Sequence, residues 1–91
     1  MKFTYPAVFK KTDKGIEVRF PDLYMCTAFG KDYEHALEDA KDSERAWLEL
    51  ELQEENMDIP FVSDIKDIVL SEGETAQMVS VNIRLMEGYD E

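Results

Sequence analysis

The sequence has few or none of the residues that form disulfides, zinc sites, membrane spans or signal peptides. Its one cysteine, Cys26, cannot form an internal disulfide, and no Cys/His spacing indicates a zinc site. No apolar run approaches the ~20 residues needed to cross a bilayer. The first residues also lack the apolar segment of a secretory signal peptide. We therefore expect a cytoplasmic protein without a metal or other cofactor.

Basic residues are also scarce. The chain has 10 Lys and Arg against 21 Asp and Glu, for a net charge of −11, and the acids concentrate in residues 32–58. Binding to a nucleic-acid backbone needs a concentrated cationic surface, so we expect no direct nucleic-acid binding. An acidic surface favours a cationic protein partner, because complementary potentials speed encounter. The simpler alternative is that the acids keep a small protein soluble.

Three segments with alternating apolar and polar residues and one short apolar segment, residues 25–29, predict four β-strands. Residues 3–9, 16–20 and 25–29 give the first three, and residues 78–85 give the last, with β-branched side chains on one face. Pro6 cannot donate a hydrogen bond to a neighbouring strand. The first strand is therefore predicted to be an edge strand, or to turn the nitrogen of Pro6 outward.

A long helix is predicted from Tyr33 to about Glu55, with Asp32 as its N-cap. Small and apolar residues recur at spacings of three and four, which predicts one buried stripe along the helix. The stripe consists of Ala36, Ala40, Ser43, Trp47 and Leu50, and Leu37, Leu48 and Leu52 widen it. Most acids fall outside this stripe, namely Glu34, Glu38, Asp39, Asp42, Glu49 and Glu54. A helical turn capped by Ser63 is predicted over residues 63–68.

These elements predict one α+β domain of two layers, ordered β-β-β-α-β, in which one long helix packs on an antiparallel sheet. We expect the domain to cover residues 1–86, with a C-terminal tail at 87–91 and no separate DNA-binding domain.

Several segments together form a pattern that spans nearly the whole chain: residues 5–9, 15–23 and 26–30, the helix residues Glu34, Ala36, Leu37, Ala40, Trp47 and Leu48, and residues 79–83. This combination resembles the amino-terminal domain of the HicB antitoxin family. The family usually places Pro-Gly before the cysteine, where this chain has Tyr24-Met25, so the partner contacts of that loop are expected to differ. The family also commonly continues into a promoter-binding segment, whereas this chain ends at Glu91.

The resemblance implies a reduced ribonuclease-H-like fold without that family's catalytic residues. It also implies a function: HicB proteins bind and neutralise HicA toxins, small basic ribonucleases that degrade mRNA. We therefore expect a non-enzymatic antitoxin that occludes a HicA-type toxin sterically and electrostatically. The alternative is a HicB-like adaptor that has no toxin partner and forms a homodimer or higher homo-oligomer by pairing an exposed edge strand.

Six residues are candidate partner contacts. Asp22, Tyr24 and Met25 lie in the connection before the third predicted strand, and Tyr24 and Met25 are larger than a turn requires. Glu34, Glu38 and Asp42 follow the exposed face of the helix, where a solvated surface is the alternative for each acid. Tyr24 and Met25 could instead fold inward.

Catalytic interpretations are weaker. Metal-dependent ribonuclease chemistry needs carboxylates that converge on two ions, and the spacing of Asp13, Glu17 and the helix acids does not make them converge. His35, the one histidine, has no partner that would make it a general base. Cys26 and Trp47 are expected to be core residues, with an interface anchor as the alternative for Trp47.

Overall fold

A computed structural model describes residues 1–53 and 59–83 of the chain. They form a four-stranded antiparallel sheet of order β3-β2-β1-β4 with one long helix on one face, so the predicted two-layer α+β fold is confirmed. The elements in chain order are β1 (Lys2–Thr12), β2 (Gly15–Arg19), β3 (Thr27–Gly30), α1 (Tyr33–Gln53), a 3-10 turn (Ile65–Asp67) and β4 (Glu74–Asn82). Residues 84–91, which include the predicted end of the last strand and the predicted tail, lie outside the described part.

Three predicted strand boundaries are wrong by two residues or more, and the first is the end of β1, which extends to Thr12 rather than residue 9. The third strand begins at Thr27 rather than at residue 25, because Met25 has a φ of 60° and so leaves the extended conformation. The last strand begins at Glu74, four residues before the predicted start. Its polar first half, with Glu74 and Gln77, shows little of the apolar alternation that marks the second half.

β1 is a central strand, so the prediction of an edge strand at Pro6 is wrong. Met1 and Ile83 exchange both of their backbone hydrogen bonds at 2.8 Å. Bonded pairs alternate along an antiparallel ladder, so the nitrogen of Pro6, opposite Met78, faces away from β4. On its other side β1 pairs with β2 only from Val8 onward. Pro6 therefore leaves no ladder bond unmade, in agreement with the second of the two predictions for this residue.

The core lies between α1 and one face of the sheet. Tyr5, Ala7 and Phe9 of β1 are buried there, with Val79 and Val81 of β4. A Cβ on Gly30 would collide with the backbone nitrogen of Ala36, so glycine is what allows the start of α1 to lie directly on the end of β3.

The buried stripe of α1 differs from the predicted one. Its fully buried residues recur every four positions: Ala36, Ala40, Glu44 and Leu48. Leu37, Trp47 and Leu52 are partly buried against the core, as predicted. The prediction is wrong for Leu50, which is 66% exposed because it lies about 200° around the helix from Leu48. The prediction for Glu54 falls outside the described residues.

The segment of residues 59–73 runs along the sheet from α1 to β4. At one end the carbonyl oxygen of Pro60 accepts a hydrogen bond from the Tyr5 hydroxyl, and at the other the carbonyl oxygen of Gly73 accepts one from the backbone nitrogen of Lys11. Tyr5 and Lys11 are six residues apart on β1, so the segment spans most of that strand's length.

The same segment covers part of the sheet face opposite α1. Pro6 and Val8 point to that face, because the buried residues of β1 that face α1 are the odd-numbered ones. Pro6 and Val8 are nevertheless buried, and the 3-10 turn contacts β4. This burial, with the contact between the 3-10 turn and β4, indicates that the later part of the segment covers this part of the face away from α1.

Candidate interaction surface

The loop from Phe20 to Cys26, here called the 20–26 loop, is held by a network of backbone hydrogen bonds. The nitrogen of Phe20 donates to the carbonyl oxygen of Cys26 at 3.1 Å, Leu23 donates to Phe20 at 3.1 Å, and Cys26 donates to Leu23 at 3.0 Å. The indole Nε1 of Trp47 also donates to the carbonyl oxygen of Tyr24 at 2.9 Å. The loop is therefore fixed both within itself and to α1.

Tyr24 and Met25 form the tip of the 20–26 loop and do not fold inward. Tyr24 is 81% exposed and Met25 is 80% exposed, while Leu23 and Cys26 on either side are buried. Leu23 and Cys26 anchor the loop in the core, and the positive φ of Met25 turns the chain between them. Two large apolar side chains are thus presented to solvent by a fixed backbone.

Asp22 lies beside this tip, but its carboxylate is occupied. It accepts hydrogen bonds from the backbone nitrogen of Ser63 at 2.7 Å and from the Ser63 hydroxyl at 2.5 Å. Ser63 was predicted to cap the following turn, but its hydroxyl donates to Asp22 instead. That turn is capped by Asp64, whose side chain accepts from the backbone nitrogen of Lys66 at 3.1 Å. Asp22 joins the 20–26 loop to the segment of residues 59–73.

The acidic face of α1 is formed by Glu34, Glu38 and Asp42, which share one side of the helix at spacings of four. All three are exposed. Within residues 1–53 and 59–83, Glu34 and Glu38 make no hydrogen bond or ion pair, and Asp42 makes one contact of 3.4 Å with the guanidinium of Arg45. Most of the charge on this face is therefore available to a partner.

The loop tip and the acidic face are separate surfaces. Trp47, which holds the loop, lies thirteen residues from Glu34, or roughly 20 Å along the helix axis at 1.5 Å per residue. Of the three acids, Asp42 is nearest to Trp47, five residues or roughly 7.5 Å along the helix axis. The six predicted residues therefore form one anchored loop, in which Asp22 has a structural role, and one charged helix face.

Glu44 was missed by the sequence analysis. It is fully buried on the core side of α1, and neither of its carboxylate oxygens has a hydrogen-bond partner among residues 1–53 and 59–83. Burial raises the pKa of this carboxyl to about 8, so it is protonated at neutral pH. Burial, with a smaller contribution from the charge of Glu44, also raises the pKa of the Cys26 thiol to about 11. The regular spacing of Ala36, Ala40 and Leu48 is the signal that could have placed Glu44 inside.

His35 has a carboxylate partner, contrary to the prediction. Its Nδ1 lies 2.7 Å from Oδ1 of Asp32, and both side chains are 54% exposed. The backbone nitrogen of His35 donates to the same oxygen at 2.9 Å, which confirms Asp32 as the N-cap of α1. These backbone and side-chain hydrogen bonds lower the pKa of Asp32. In residues 1–53 and 59–83, no three His, Cys, Asp or Glu side chains are grouped so that they could hold a metal ion.

Solved structures similar to this chain include HicB antitoxins. A chain of a toxin–antitoxin complex from Streptococcus pneumoniae superimposes with a TM-score of 0.77 at 22% identity, over 100% of this chain and 79% of that one. The N-terminal domain of the antitoxin HicB from Burkholderia pseudomallei gives 0.73 at 22% identity, over 89% of this chain and 100% of that one. The chain has the HicB fold.

The antitoxin HicB from Burkholderia pseudomallei matches the HicB fold of this chain with a TM-score of 0.73 at 21% identity, over 98% of this chain and 70% of that one. No model of a known protein family matches the chain, and neither does any curated protein sequence.

None of the helices in the described residues is long and apolar enough to span a membrane.

Proposed function

We propose that this chain is a cytoplasmic, non-enzymatic antitoxin that binds and neutralises a HicA-type mRNA interferase by steric and electrostatic occlusion. The observation that carries this proposal is the 20–26 loop, which holds Tyr24 and Met25 outward on a HicB fold. Exposed aromatic and Met side chains on a fixed backbone are typical of interface anchors, because little conformational entropy is lost on binding.

The acidic face of α1 supports a basic partner. Glu34, Glu38 and Asp42 present carboxylates at a regular spacing, and the whole chain has a net charge of −11. A nucleic-acid-binding ribonuclease carries cationic groups for phosphates, and carboxylates on a neighbouring protein bind the same groups through charge-assisted hydrogen bonds. Occupation of those groups excludes RNA without any chemistry. The same charge opposes binding of this chain to DNA or RNA.

A second candidate is a HicB-like adaptor without a toxin, which acts as a homo-oligomer. The observation that favours it is that β4 is an edge strand paired only with β1 among the described strands. The two candidates differ in one measurable property, because only the first requires a ribonuclease as a partner.

Inhibition of a ribonuclease tests the antitoxin function directly. The HicA-type protein encoded beside this chain is mixed with an mRNA substrate, and cleavage is followed while the chain is added. We expect cleavage to stop near one equivalent of chain and the two proteins to co-purify. Full cleavage in the presence of excess chain, or the absence of a HicA-type gene beside it, would contradict the proposal.

Alanine substitutions test whether the loop is the contact. We expect Tyr24→Ala with Met25→Ala to weaken inhibition at least tenfold, the range for loss of buried interface anchors. The matched control is Phe61→Ala with Val69→Ala, which removes two exposed apolar side chains from the segment of residues 59–73. Both pairs leave the core intact. Equal inhibition by the two double variants would place the contact elsewhere.

A further inference from the structure

The two edge strands of the sheet, β3 and β4, differ in length and in how far side chains occupy their outward-facing backbone groups. β3 is an edge strand of four residues, and the carboxylate of Asp39 on α1 accepts a hydrogen bond of 3.0 Å from the backbone nitrogen of Phe29. The side chain of Asp39 thus occupies a backbone donor on this edge. Short strands and charged side chains at an edge prevent another strand from pairing with it.

The edge formed by β4 is less protected: among the described residues its one contact of this kind is a hydrogen bond of 3.4 Å from Nε of Arg45 to the carbonyl oxygen of Asn82, at the end of the strand. It is nine residues long, it pairs with Lys2–Lys10 in an unbroken register, and it contains no proline, glycine or lysine. The seven residues from Thr75 to Val81 carry no charge. A long, regular and uncharged edge is a template for another strand.

The register identifies the backbone groups that this edge offers. Met1 bonds with Ile83, and Lys11 donates to Gly73, so the odd-numbered residues of β4 bond to β1. The N–H and C=O groups of Ala76, Met78 and Ser80 therefore point away from β1. None of them has a hydrogen-bond partner in residues 1–53 and 59–83.

We propose that β4 pairs with β4 of a second copy of this chain, antiparallel and centred on Met78. Met78 then lies opposite Met78 of the other copy, and Ala76 lies opposite Ser80, so that each of these pairs exchanges two backbone hydrogen bonds. The two four-stranded sheets become one continuous sheet, with both copies of α1 on the same face. This inference rests on the edge alone and does not depend on toxin binding.

The chemistry of the edge favours a second copy over a basic partner. Pairing about Met78 brings Glu74 to the level of Asn82 of the other copy, so no like charges of β4 face each other. The carboxylate of Glu74 is also paired within its own copy, with the guanidinium of Arg19 at 2.6 Å. The uncharged centre offers nothing specific to a cationic toxin, whereas the acidic face of α1 does.

Hydrogen exchange of the unmodified chain tests the pairing. We expect the amides of Ala76, Met78 and Ser80 to become protected as protein concentration rises, together with a molar mass approaching twice the 10.6 kDa of one chain. Both effects should strengthen with added salt, because each copy carries a charge of −11 and the copies repel each other. Toxin binding should weaken with salt, which separates the two interactions.

A substitution by lysine at Met78, the centre of β4, provides a variant that should not dimerise. Met78→Lys places two like charges opposite each other, so we expect it to be monomeric while it still inhibits the toxin. Met25→Lys, the same change at the loop tip, should remain dimeric. A monomeric unmodified chain at all concentrations would overturn the proposal. Protection of the three amides only after toxin is added would also overturn it, since the edge would then bind the toxin.

Discussion

The indole nitrogen of Trp47 donates a hydrogen bond of 2.9 Å to the backbone carbonyl oxygen of Tyr24. One side chain of α1 thereby fixes the backbone of Tyr24, which is 81% exposed at the tip of the 20–26 loop. Trp47 is itself partly buried against the core, as predicted, while the alternative, that it is an interface anchor, stays a prediction. Through this hydrogen bond Trp47 supports the tip of the 20–26 loop. The support is indirect, because Trp47 holds the backbone of Tyr24 rather than the partner.

We expect Trp47→Phe to lower the free energy of unfolding by about 1 kcal/mol, the typical contribution of one hydrogen bond. Phenylalanine keeps most of the apolar contact but cannot donate to Tyr24. The freed loop tip should lose toxin affinity severalfold, because Tyr24 and Met25 must be ordered on binding. Urea unfolding and a titration of ribonuclease inhibition measure the two effects.

Thr12→Val is the control for Trp47→Phe. It removes two hydrogen bonds in the turn between β1 and β2: the Thr12 hydroxyl donates to the carbonyl oxygen of Gly15 at 3.0 Å and accepts from the backbone nitrogen of Lys14 at 3.2 Å. We expect a comparable loss of stability with unchanged toxin affinity. If both variants weaken inhibition equally, the effect of Trp47 is general destabilisation and not positioning of the loop.

We expect Glu34→Lys with Glu38→Lys to slow association with the toxin about tenfold at low salt and to have little effect at high salt. These exposed carboxylates act mainly by long-range attraction, which salt screens. The control is Glu17→Lys with Glu72→Lys, which changes the net charge equally at exposed sites on β2 and before β4. Stopped-flow mixing at several salt concentrations measures the rates. Equal slowing in both double variants would mean that only the net charge matters.

Periodicity in the sequence was sufficient for the architecture. The alternation in β1, β2 and the second half of β4 reflects one buried and one open sheet face, and the helical spacing reflects one buried side of α1. The same reasoning failed for two residues of α1, because it could not tell which of them lies on the buried side of the helix. Leu50 was assigned to the core and Glu44 was not, since composition favours a buried leucine over a buried glutamate.

The candidate site was harder to predict because hydrogen bonds between distant segments leave no local pattern. Asp22 stays a predicted partner contact, and no local pattern indicates that Ser63, 41 residues away, donates two hydrogen bonds to its carboxylate. The position of β1 inside the sheet is a similar case. Pro6 signals an edge on local grounds, and only the register with both neighbouring strands shows why a central strand tolerates it.

We expect Cys26 to react with iodoacetamide far more slowly than a free thiol at pH 8. The residue is buried, and burial raises the pKa of its thiol to about 11, so little of the reactive thiolate is present. Reaction then requires opening of the 20–26 loop, which makes Cys26 a reporter of loop stability. Mass spectrometry follows the modification, with the urea-unfolded chain as the reference. Rapid modification of the folded chain would show that the loop opens freely.

Glu44 makes folding sensitive to pH in a range where few other groups titrate. The carboxyl is buried and has no hydrogen-bond partner in the part of the chain that the structure describes, so its charged form is strongly disfavoured in the folded chain. In the unfolded chain the same carboxyl ionises near its ordinary pKa of 4.5. The folded state therefore holds a proton that the unfolded state has lost, and this difference favours folding until Glu44 ionises in the folded state.

We expect the free energy of unfolding to fall by about 2 to 3 kcal/mol between pH 6 and pH 8.5, as the pH rises through the raised pKa of Glu44, which is about 8. The stabilisation is present at low pH and is lost on ionisation, because the carboxylate must then remain buried or the helix must open. Urea unfolding at a series of pH values measures the fall. Glu44→Gln has no charge to lose, so its stability should stay nearly constant over the same range. A parallel fall in the variant would assign the pH dependence to other groups and would mean that Glu44 is already ionised in the folded chain at pH 6.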